Sequence, residues 1–162
     1  MHQSKVNLSF IPMRPDHIEE IEEWFDDPET QRFLGGREWI RRLPALLRDS
    51  PGVEFRGRRV LARHAWVVHT AGSSVAIVDV ESYDDGTAGI ALAVAPAMRR
   101  KGIGKQVLSD LKTLSELAGV NAFIWAVEPE NKAARHCMSG ARFEVAEHED
   151  EEGMLRISRR LA

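Results

Sequence analysis

The segment that most constrains the fold of this 162-residue chain is residues 88–104, where an apolar run changes into a cationic, glycine-containing turn. The run ends at Pro96, and a helical pattern of apolar residues begins at Lys105. Between them the chain carries three cations and two glycines, namely Arg99, Arg100, Lys101, Gly102 and Gly104. The pattern predicts a β-strand that enters a helix through a tight turn.

A turn of this composition is suited to binding an anion. The first N–H groups of a helix lack intrahelical partners, and the helix dipole adds positive potential at that end. Gly102 and Gly104 have no Cβ, so a diphosphate can approach the main chain closely. The spacing excludes a Walker loop, and Val107 stands where a dinucleotide fingerprint needs its third glycine. We therefore expect a nucleotide-like ligand with a diphosphate.

Two segments carry a resemblance to a known family. Residues 99–104, Arg-Arg-Lys-Gly-Ile-Gly, resemble the R/Q-x-x-G-x-G/A signature of the GCN5-related N-acetyltransferases (GNAT). Residues 122–143 resemble the next unit of that family, in which Asn131 opens a short helix and Phe143 follows it. The predicted element order, β-α-α-β-β-β-α-β-α-β-β, is also the order of this family.

The resemblance implies a single GNAT domain over residues 1–162. Its fold is mixed α/β (α+β), with a twisted, mainly antiparallel sheet, helices on both faces and a splayed parallel strand pair at 88–95 and 122–127. The other predicted strands are 5–13, 62–70, 75–81, 143–147 and 154–160. The predicted helices are 15–26, 37–49, 101–118 and 131–139, and Pro44 is expected to kink or split the second of them.

The resemblance also implies acetyl-coenzyme A as co-substrate. Its thioester arm would lie in the gap between the splayed strands and bond the backbone of Leu92, Ala93 and Val94, with the Val94 amide polarising the thioester carbonyl. The pyrophosphate would bind the turn residues Arg99, Arg100, Lys101, Gly102, Ile103, Gly104 and Lys105. Asn131 has two open roles, as the N-cap of its helix and as a ligand of the pantetheine.

The usual catalytic side chains of the family are absent. Met138 stands where many relatives have a Tyr that acts as the general acid, and Ala126 stands where some have a Glu that acts as the general base. Glu81 is the substitute base that we nominate, because it shares a strand face with Asp79 next to the strand expected to hold the thioester. The alternative for Glu81 is an ordinary solvated carboxylate at a strand end. Tyr83, the only tyrosine, is expected at the surface of a turn.

Charge placement bears on the acceptor. Residues 16–29 contain eight acidic residues and no Lys or Arg, and residues 147–152 form a second acidic run. In the family both regions border the acceptor side, so they would attract a cationic amine, although such runs are also typical of solvated surface. The arginines of residues 56–63 are expected either to contact the 3′-phosphate of the cofactor, or RNA, or to be solvated.

The sequence therefore predicts an N-acetyltransferase that moves an acetyl group to a primary amine of a small cationic molecule or a peptide. The alternative is a non-catalytic acyl-coenzyme A sensor on the same fold. The net charge of −3 argues against a nucleic-acid binder, and the histidines lack metal-ligand spacing. One cysteine and no membrane-length apolar stretch predict a cytoplasmic protein without a membrane partner. Exposed strand edges permit a homodimer.

Overall fold

The computed structural model describes residues 6–161, which form an eight-stranded mixed sheet with helices on both of its faces. The strands are β1 Ser9–Pro12, β2 Glu54–Phe55, β3 Arg58–Thr70, β4 Ser73–Tyr83, β5 Thr87–Val94, β6 Ala122–Val127, β7 Glu144–Val145 and β8 Leu155–Arg160. The helices are α1 His17–Ile21, α2 Pro28–Leu34, α3 Gly36–Asp49, α4 Ile103–Leu111 and α5 Lys132–Gly140. The sheet order is β1-β3-β4-β5-β6-β8-β7, and β2 pairs with β3.

The pair β5 and β6 is parallel, whereas the other strand pairs among residues 6–161 are antiparallel. Its register begins at Thr87 opposite Ala122 and ends at Gly89 opposite Ile124. Beyond that point the two strands continue to Val94 and Val127 with no further pairing between them among the described residues. The predicted mixed fold with a splayed parallel pair is confirmed.

The alternation of side chains along β4 divides the core into two layers. Val78 and Val80 are fully buried against α4 and α5, while Ile77 is fully buried on the opposite face, against α1 and α3. Successive residues of a strand point to opposite faces, so Asp79 and Glu81 lie on the face of Ile77. The two carboxylates therefore face the side of α1–α3 and not the side of α4.

The first part of the chain differs most from the sequence prediction. α1 ends at Ile21 and a 3₁₀ turn follows at Glu22–Asp26, where one helix was expected. The helix α2 was not predicted, although Asp27 caps it, Pro28 opens it and Gly35 ends it with a φ of 113°.

Two other expectations concern helices. Pro44 lies inside α3 and does not split it, because Ile40 and Leu43 of the same turn are fully buried and packing holds the helix; the alternative, a kink at Pro44, stays a prediction. The helix expected at 101–118 ends at Leu111 and is followed by a 3₁₀ turn at Ser115–Leu117.

The remaining strands follow the prediction with shifted ends. The first strand was expected at 5–13, and its described part is Ser9–Pro12, while Lys5 lies outside the described residues. β6 coincides with the predicted range. Among the helices of residues 6–161, none combines the length and the apolarity needed to cross a bilayer.

Candidate active site

The turn before α4 presents backbone N–H groups and cations at one point. Gly102 has a φ of 79°, in the left-handed region that glycine tolerates, and it is the N-cap of α4. The first helical hydrogen bond runs from the Gln106 N–H to the Gly102 carbonyl at 3.1 Å, so the N–H groups of residues 103–105 precede the helical ladder. Three cations of the turn are exposed, namely Arg100, Lys101 and Lys105. This helix end is suited to a diphosphate.

Gly104 lies where α4 meets its neighbours. A Cβ on Gly104 would be 2.8 Å from Sγ of Cys137 on α5 and 3.5 Å from Cγ2 of Val94 on β5. Burial raises the pKa of the Cys137 thiol to about 11, against the opposing effect of Lys105, so this thiol is protonated at neutral pH. Gly104 is therefore required for the close packing of α4 against α5, and its role in the approach of a ligand stays a prediction.

Arg99, expected to bind the pyrophosphate, is bonded to α2. Its guanidinium donates to Asp27 Oδ2 at 2.9 Å, to Thr30 Oγ1 at 2.7 Å and to Glu29 Oε2 at 3.3 Å. Burial raises the pKa of the Asp27 carboxyl, but the hydrogen bonds from Arg99 and Thr30 outweigh it and lower the pKa overall. Arg99 thus joins the turn to the start of α2.

Asn131 is the N-cap of α5. Its Oδ1 accepts the Ala134 N–H at 3.2 Å, which satisfies one of the first donors of the helix. The capping role is confirmed, whereas the pantetheine role stays a prediction. The carbonyl oxygen of the side chain is the atom used in the cap, so a ligand would engage the amide group of Asn131 through its NH₂.

A buried ion cluster occupies the opposite face of the sheet. Arg63 binds Asp79 through two hydrogen bonds, Nε to Oδ1 at 3.0 Å and Nη2 to Oδ2 at 2.7 Å. Its Nη1 donates to Glu81 Oε2 and to Ser50 Oγ, both at 3.1 Å. Burial alone would lower the pKa of Arg63, but the carboxylates raise it overall; burial also raises the pKa of Asp79 in spite of the guanidinium. The cluster holds Glu81 in one orientation.

Tyr83 completes this cluster, and the expectation that it lies at the surface was wrong. Its side chain is buried, and its hydroxyl donates to Glu81 Oε1 at 2.9 Å. A Cβ on Gly89 would lie 3.2 Å from that hydroxyl, so the hydroxyl sits at the last parallel pair, Gly89 and Ile124, where the strands begin to splay. Burial and the bond to Glu81 raise the pKa of Tyr83, so it remains a donor.

Sequence reasoning ended the strand of Glu81 too early and therefore missed Tyr83. The strand extends to Tyr83, two residues beyond Glu81, and this spacing places both side chains on one face. Continued alternation past Glu81 was the available signal. Glu81 itself is bonded at both oxygens, which differs from the solvated carboxylate considered above. Its role as a base stays a prediction.

The two positions where relatives carry catalytic groups are occupied by apolar residues with structural roles. Met138 is fully buried in the core between α5 and the sheet, and Ala126 pairs with Arg156 in the sheet. Among residues 6–161, no group of three or more His, Cys, Asp or Glu side chains is arranged to hold a metal ion.

The arginines of residues 56–63 are paired with carboxylates. Besides Arg63, the ion pairs are Arg56 with Glu152 at 2.6 Å, Arg58 with Asp85 at 2.6 Å and Arg59 with Glu54 at 4.0 Å. These partners compete with any phosphate for the guanidinium groups. The arrangement gives no support to the expected contact with the 3′-phosphate or with RNA.

The comparison with known families decides the class of this fold. The sequence profile described as "Acetyltransferase (GNAT) domain" matches residues 7–144. The chain belongs to the GNAT family. It is accordingly an N-acetyltransferase, and acetyl-coenzyme A is its co-substrate.

Individual relatives agree with this membership. This GNAT protein is 28% identical over 153 residues to the uncharacterised N-acetyltransferase YfmK of Bacillus subtilis (strain 168). The aligned residues make up 91% of this chain and 93% of YfmK. The solved structure of aminoglycoside acetyltransferase AAC(6′)-Ib with coenzyme A is similar with a TM-score of 0.75, 15% identity and 95% coverage of both chains.

A second solved structure, the ribosomal L7/L12 α-N-protein acetyltransferase RimL with coenzyme A, gives a TM-score of 0.72 at 13% identity, covering 99% of this chain and 97% of that one. At these identities the two solved structures establish the fold.

Proposed function

We propose that this GNAT protein acetylates the primary amine of a small cationic molecule or of a peptide, with Glu81 as the base that receives the amine proton. The observation that carries the proposal is the position of the Glu81 and Tyr83 pair, at the start of the gap between β5 and β6. In the proposal, the arm of acetyl-coenzyme A enters the gap from the side of the turn before α4. The Glu81 carboxylate lies at the opposite end, where β5 and β6 begin to separate.

The cofactor contacts of the proposal follow the turn before α4. Backbone N–H groups at Ile103, Gly104 and Lys105 bind the pyrophosphate, and the exposed cations of the turn attract it. The main chain of Leu92–Val94 bonds the pantetheine arm, and the Val94 N–H polarises the thioester carbonyl. Arg99 contributes through the backbone of the turn, because its side chain is bonded to α2.

The register relates the two carboxylates to the strand that is proposed to bind the arm. Asp79 is opposite Ala91 and Glu81 opposite Gly89 on β5. From Gly89 to Val94, whose N–H is proposed to polarise the thioester carbonyl, is five residues, or about 17 Å along the strand, so the amine proton reaches Glu81 through intervening water.

The reaction balances without a metal or a redox partner. The amine nitrogen attacks the acetyl carbon, the C–N bond forms, and the C–S bond breaks. Before the attack, Glu81 takes one proton from the ammonium group, which frees the lone pair of the nitrogen; after it, the second proton leaves the nitrogen and neutralises the departing coenzyme A thiolate. Tyr83 donates to Glu81 throughout and fixes its direction.

The acceptor class is supported by charge and by the neighbours. Two carboxylates, Asp79 and Glu81, face one guanidinium, that of Arg63, so the cluster carries net negative charge and favours an ammonium group. Structural neighbours act on an aminoglycoside and on a protein α-amine. Homodimerisation and a cytoplasmic location also remain part of this proposal, to be tested by light scattering and by cell fractionation.

The test is the release of free coenzyme A thiol from acetyl-coenzyme A across polyamines, aminoglycosides, amino acids and basic peptides. With a turned-over amine, Glu81→Gln should lower kcat about 100-fold or more while acetyl-coenzyme A binding is unchanged. The matched control is Glu144→Gln, which removes an exposed carboxylate from β7 at the sheet edge and should leave kcat unchanged. Equal kcat in wild type and Glu81→Gln would remove Glu81 from the mechanism. Binding without turnover of any amine would favour the acyl-coenzyme A sensor.

A further inference from the structure

A cavity of about 420 Å³ opens beside Glu81 on the face of the sheet that carries α3. We call it the acceptor groove; it is lined by Leu46, Asp49, Ser50, Val53, Phe55, Val60, Arg63 and Glu81. The volume lies within the range of about 300–1,000 Å³ that is typical of small-molecule sites. The groove therefore ends at the carboxylate that the proposed function uses.

The outer part of the groove is apolar apart from Asp49, whose two carboxylate oxygens accept hydrogen bonds from Arg48. Val53 and Phe55 are exposed to 51% and 50%, and they are two of the three large apolar side chains that are exposed among residues 6–161. The third, Leu61, is exposed to 60% and does not line the groove. Exposed apolar side chains beside a cavity indicate a surface that a ligand covers.

The inner end of the groove is polar and anionic. Glu81 accepts one hydrogen bond on each carboxylate oxygen, from Arg63 and from Tyr83. Each oxygen has a second lone pair, so the carboxylate can accept two more hydrogen bonds from a ligand. Arg63 is already engaged by both oxygens of Asp79, which leaves the cluster with an excess of negative charge. One cationic nitrogen complements this end.

The β2–β3 hairpin that carries Phe55 is linked by an ion pair to the β7–β8 loop. Arg56, at the turn between β2 and β3, donates from Nη2 to both oxygens of Glu152 in the β7–β8 loop, at 2.7 and 2.6 Å. In the sheet, β3 and β8 are separated by β4, β5 and β6, so this pair bridges those strands. This exposed ion pair links the apolar wall to the β7–β8 loop.

We propose that the acceptor groove binds a primary monoamine with an apolar or aromatic body, whose nitrogen meets Glu81 and whose body covers Val53 and Phe55. The inference rests on the proposed function and narrows its acceptor class. A polyamine or an aminoglycoside would place additional cationic or hydroxyl groups against the apolar wall, which is costly without partners. Both a free amine and the N-terminal residue of a peptide have the required chemistry.

The experiment measures kcat/KM for a panel of acceptors at saturating acetyl-coenzyme A. The acceptors are butylamine, hexylamine, 2-phenylethylamine, a peptide with N-terminal phenylalanine, spermidine and kanamycin. We expect hexylamine to exceed butylamine about 15-fold, since each of its two additional buried methylenes adds a factor of about four. Phenylethylamine or the phenylalanine peptide should exceed spermidine and kanamycin, and the better of the two identifies a free amine or a chain terminus.

Variants separate the groove from the chemistry. Phe55→Ala should lower kcat/KM about tenfold for 2-phenylethylamine, lower it by a smaller factor for butylamine, whose body is shorter, and leave acetyl-coenzyme A binding unchanged. Leu61→Ala is the matched control, an exposed apolar side chain outside the groove, and should alter none of these values. Turnover of spermidine or kanamycin above the apolar amines, or equal effects of the two variants, overturns this inference and leaves the proposed function standing. Binding of acetyl-coenzyme A without turnover of any acceptor overturns the proposed function as well.

Discussion

The contact between α4 and α5 at Gly104 allows the two roles of this glycine to be measured separately. Gly104→Ala places a methyl group 2.8 Å from Sγ of Cys137, closer than such atoms approach in real packing. Cys137→Ala removes the sulfur and leaves room for that methyl group. The two single variants and the double variant form a thermodynamic cycle around one contact.

The magnitudes follow from packing and helix propensity. Overpacking a methyl group into this interface costs about 1–3 kcal/mol, and replacing glycine by alanine in a helix returns up to about 1 kcal/mol. We therefore expect Gly104→Ala to lower the free energy of unfolding by about 1–2 kcal/mol. Cys137→Ala should cost roughly 1 kcal/mol, the value of one buried heavy atom. The double variant should be at least as stable as Gly104→Ala.

The assay pairs urea unfolding with equilibrium binding of acetyl-coenzyme A. If Gly104 also admits the diphosphate to the main chain, the double variant recovers its stability but still binds the cofactor at least tenfold more weakly than Cys137→Ala. Additive losses of stability in the double variant would refute the contact. Recovery of both stability and binding would refute the role of Gly104 in diphosphate approach and leave a packing role alone.

Further predictions concern the ion cluster and an acidic surface residue. Arg63→Met leaves the carboxylate of Asp79 buried without its partner and should lower the free energy of unfolding by about 3–5 kcal/mol in urea, whereas the double variant with Asp79→Leu should recover much of that loss. Tyr83→Phe keeps the ring but removes the donor that orients Glu81, so it should lower kcat without changing acetyl-coenzyme A binding; an unchanged kcat would argue against a positioning role. Hydrogen bonds from Thr87 and Arg58 lower the pKa of Asp85 to about 2, so its stabilisation is present above about pH 4 and is lost as the pH falls towards 2. Asp85→Asn should flatten stability over that window, and identical acid unfolding of variant and wild type would contradict the shift.

The sequence predicted the second half of the chain well, because local signals determine it. The proline, the cations and the glycines of residues 96–104 define the end of β5 and the start of α4, and Asn131 defines the start of α5. The helices of the first half depend on packing instead. Pro44 is tolerated inside α3 because its neighbours Ile40 and Leu43 are buried. The local sequence does not indicate that this packing outweighs the effect of the proline.

The ion cluster shows why the site was harder to predict than the fold. Asp79 and Glu81 were placed on one face from their spacing alone, and β4 confirms this placement. Their partner Arg63 is 16 residues from Asp79 and was grouped with the other arginines of its run. Only the antiparallel register of β3 and β4, with Arg63 opposite Glu81, separates it from them. Long-range pairing of this kind leaves no trace in local composition.

Charge counted along the sequence therefore differs from charge at the site. The first acidic run was expected to attract a cationic acceptor, yet Arg37 binds Glu22 and Asp26, and Arg99 binds Asp27 and Glu29. Neutralised carboxylates on the surface are screened by salt and steer a ligand weakly. The half-buried Glu81 keeps unused lone pairs in a groove with apolar walls, where a single ammonium group interacts more strongly than it would in water. In the proposed groove, selection of the acceptor would depend on one carboxylate and the apolar surface beside it, which is the physical reason to expect a monoamine with an apolar body among the cationic amines and peptides that the sequence suggested.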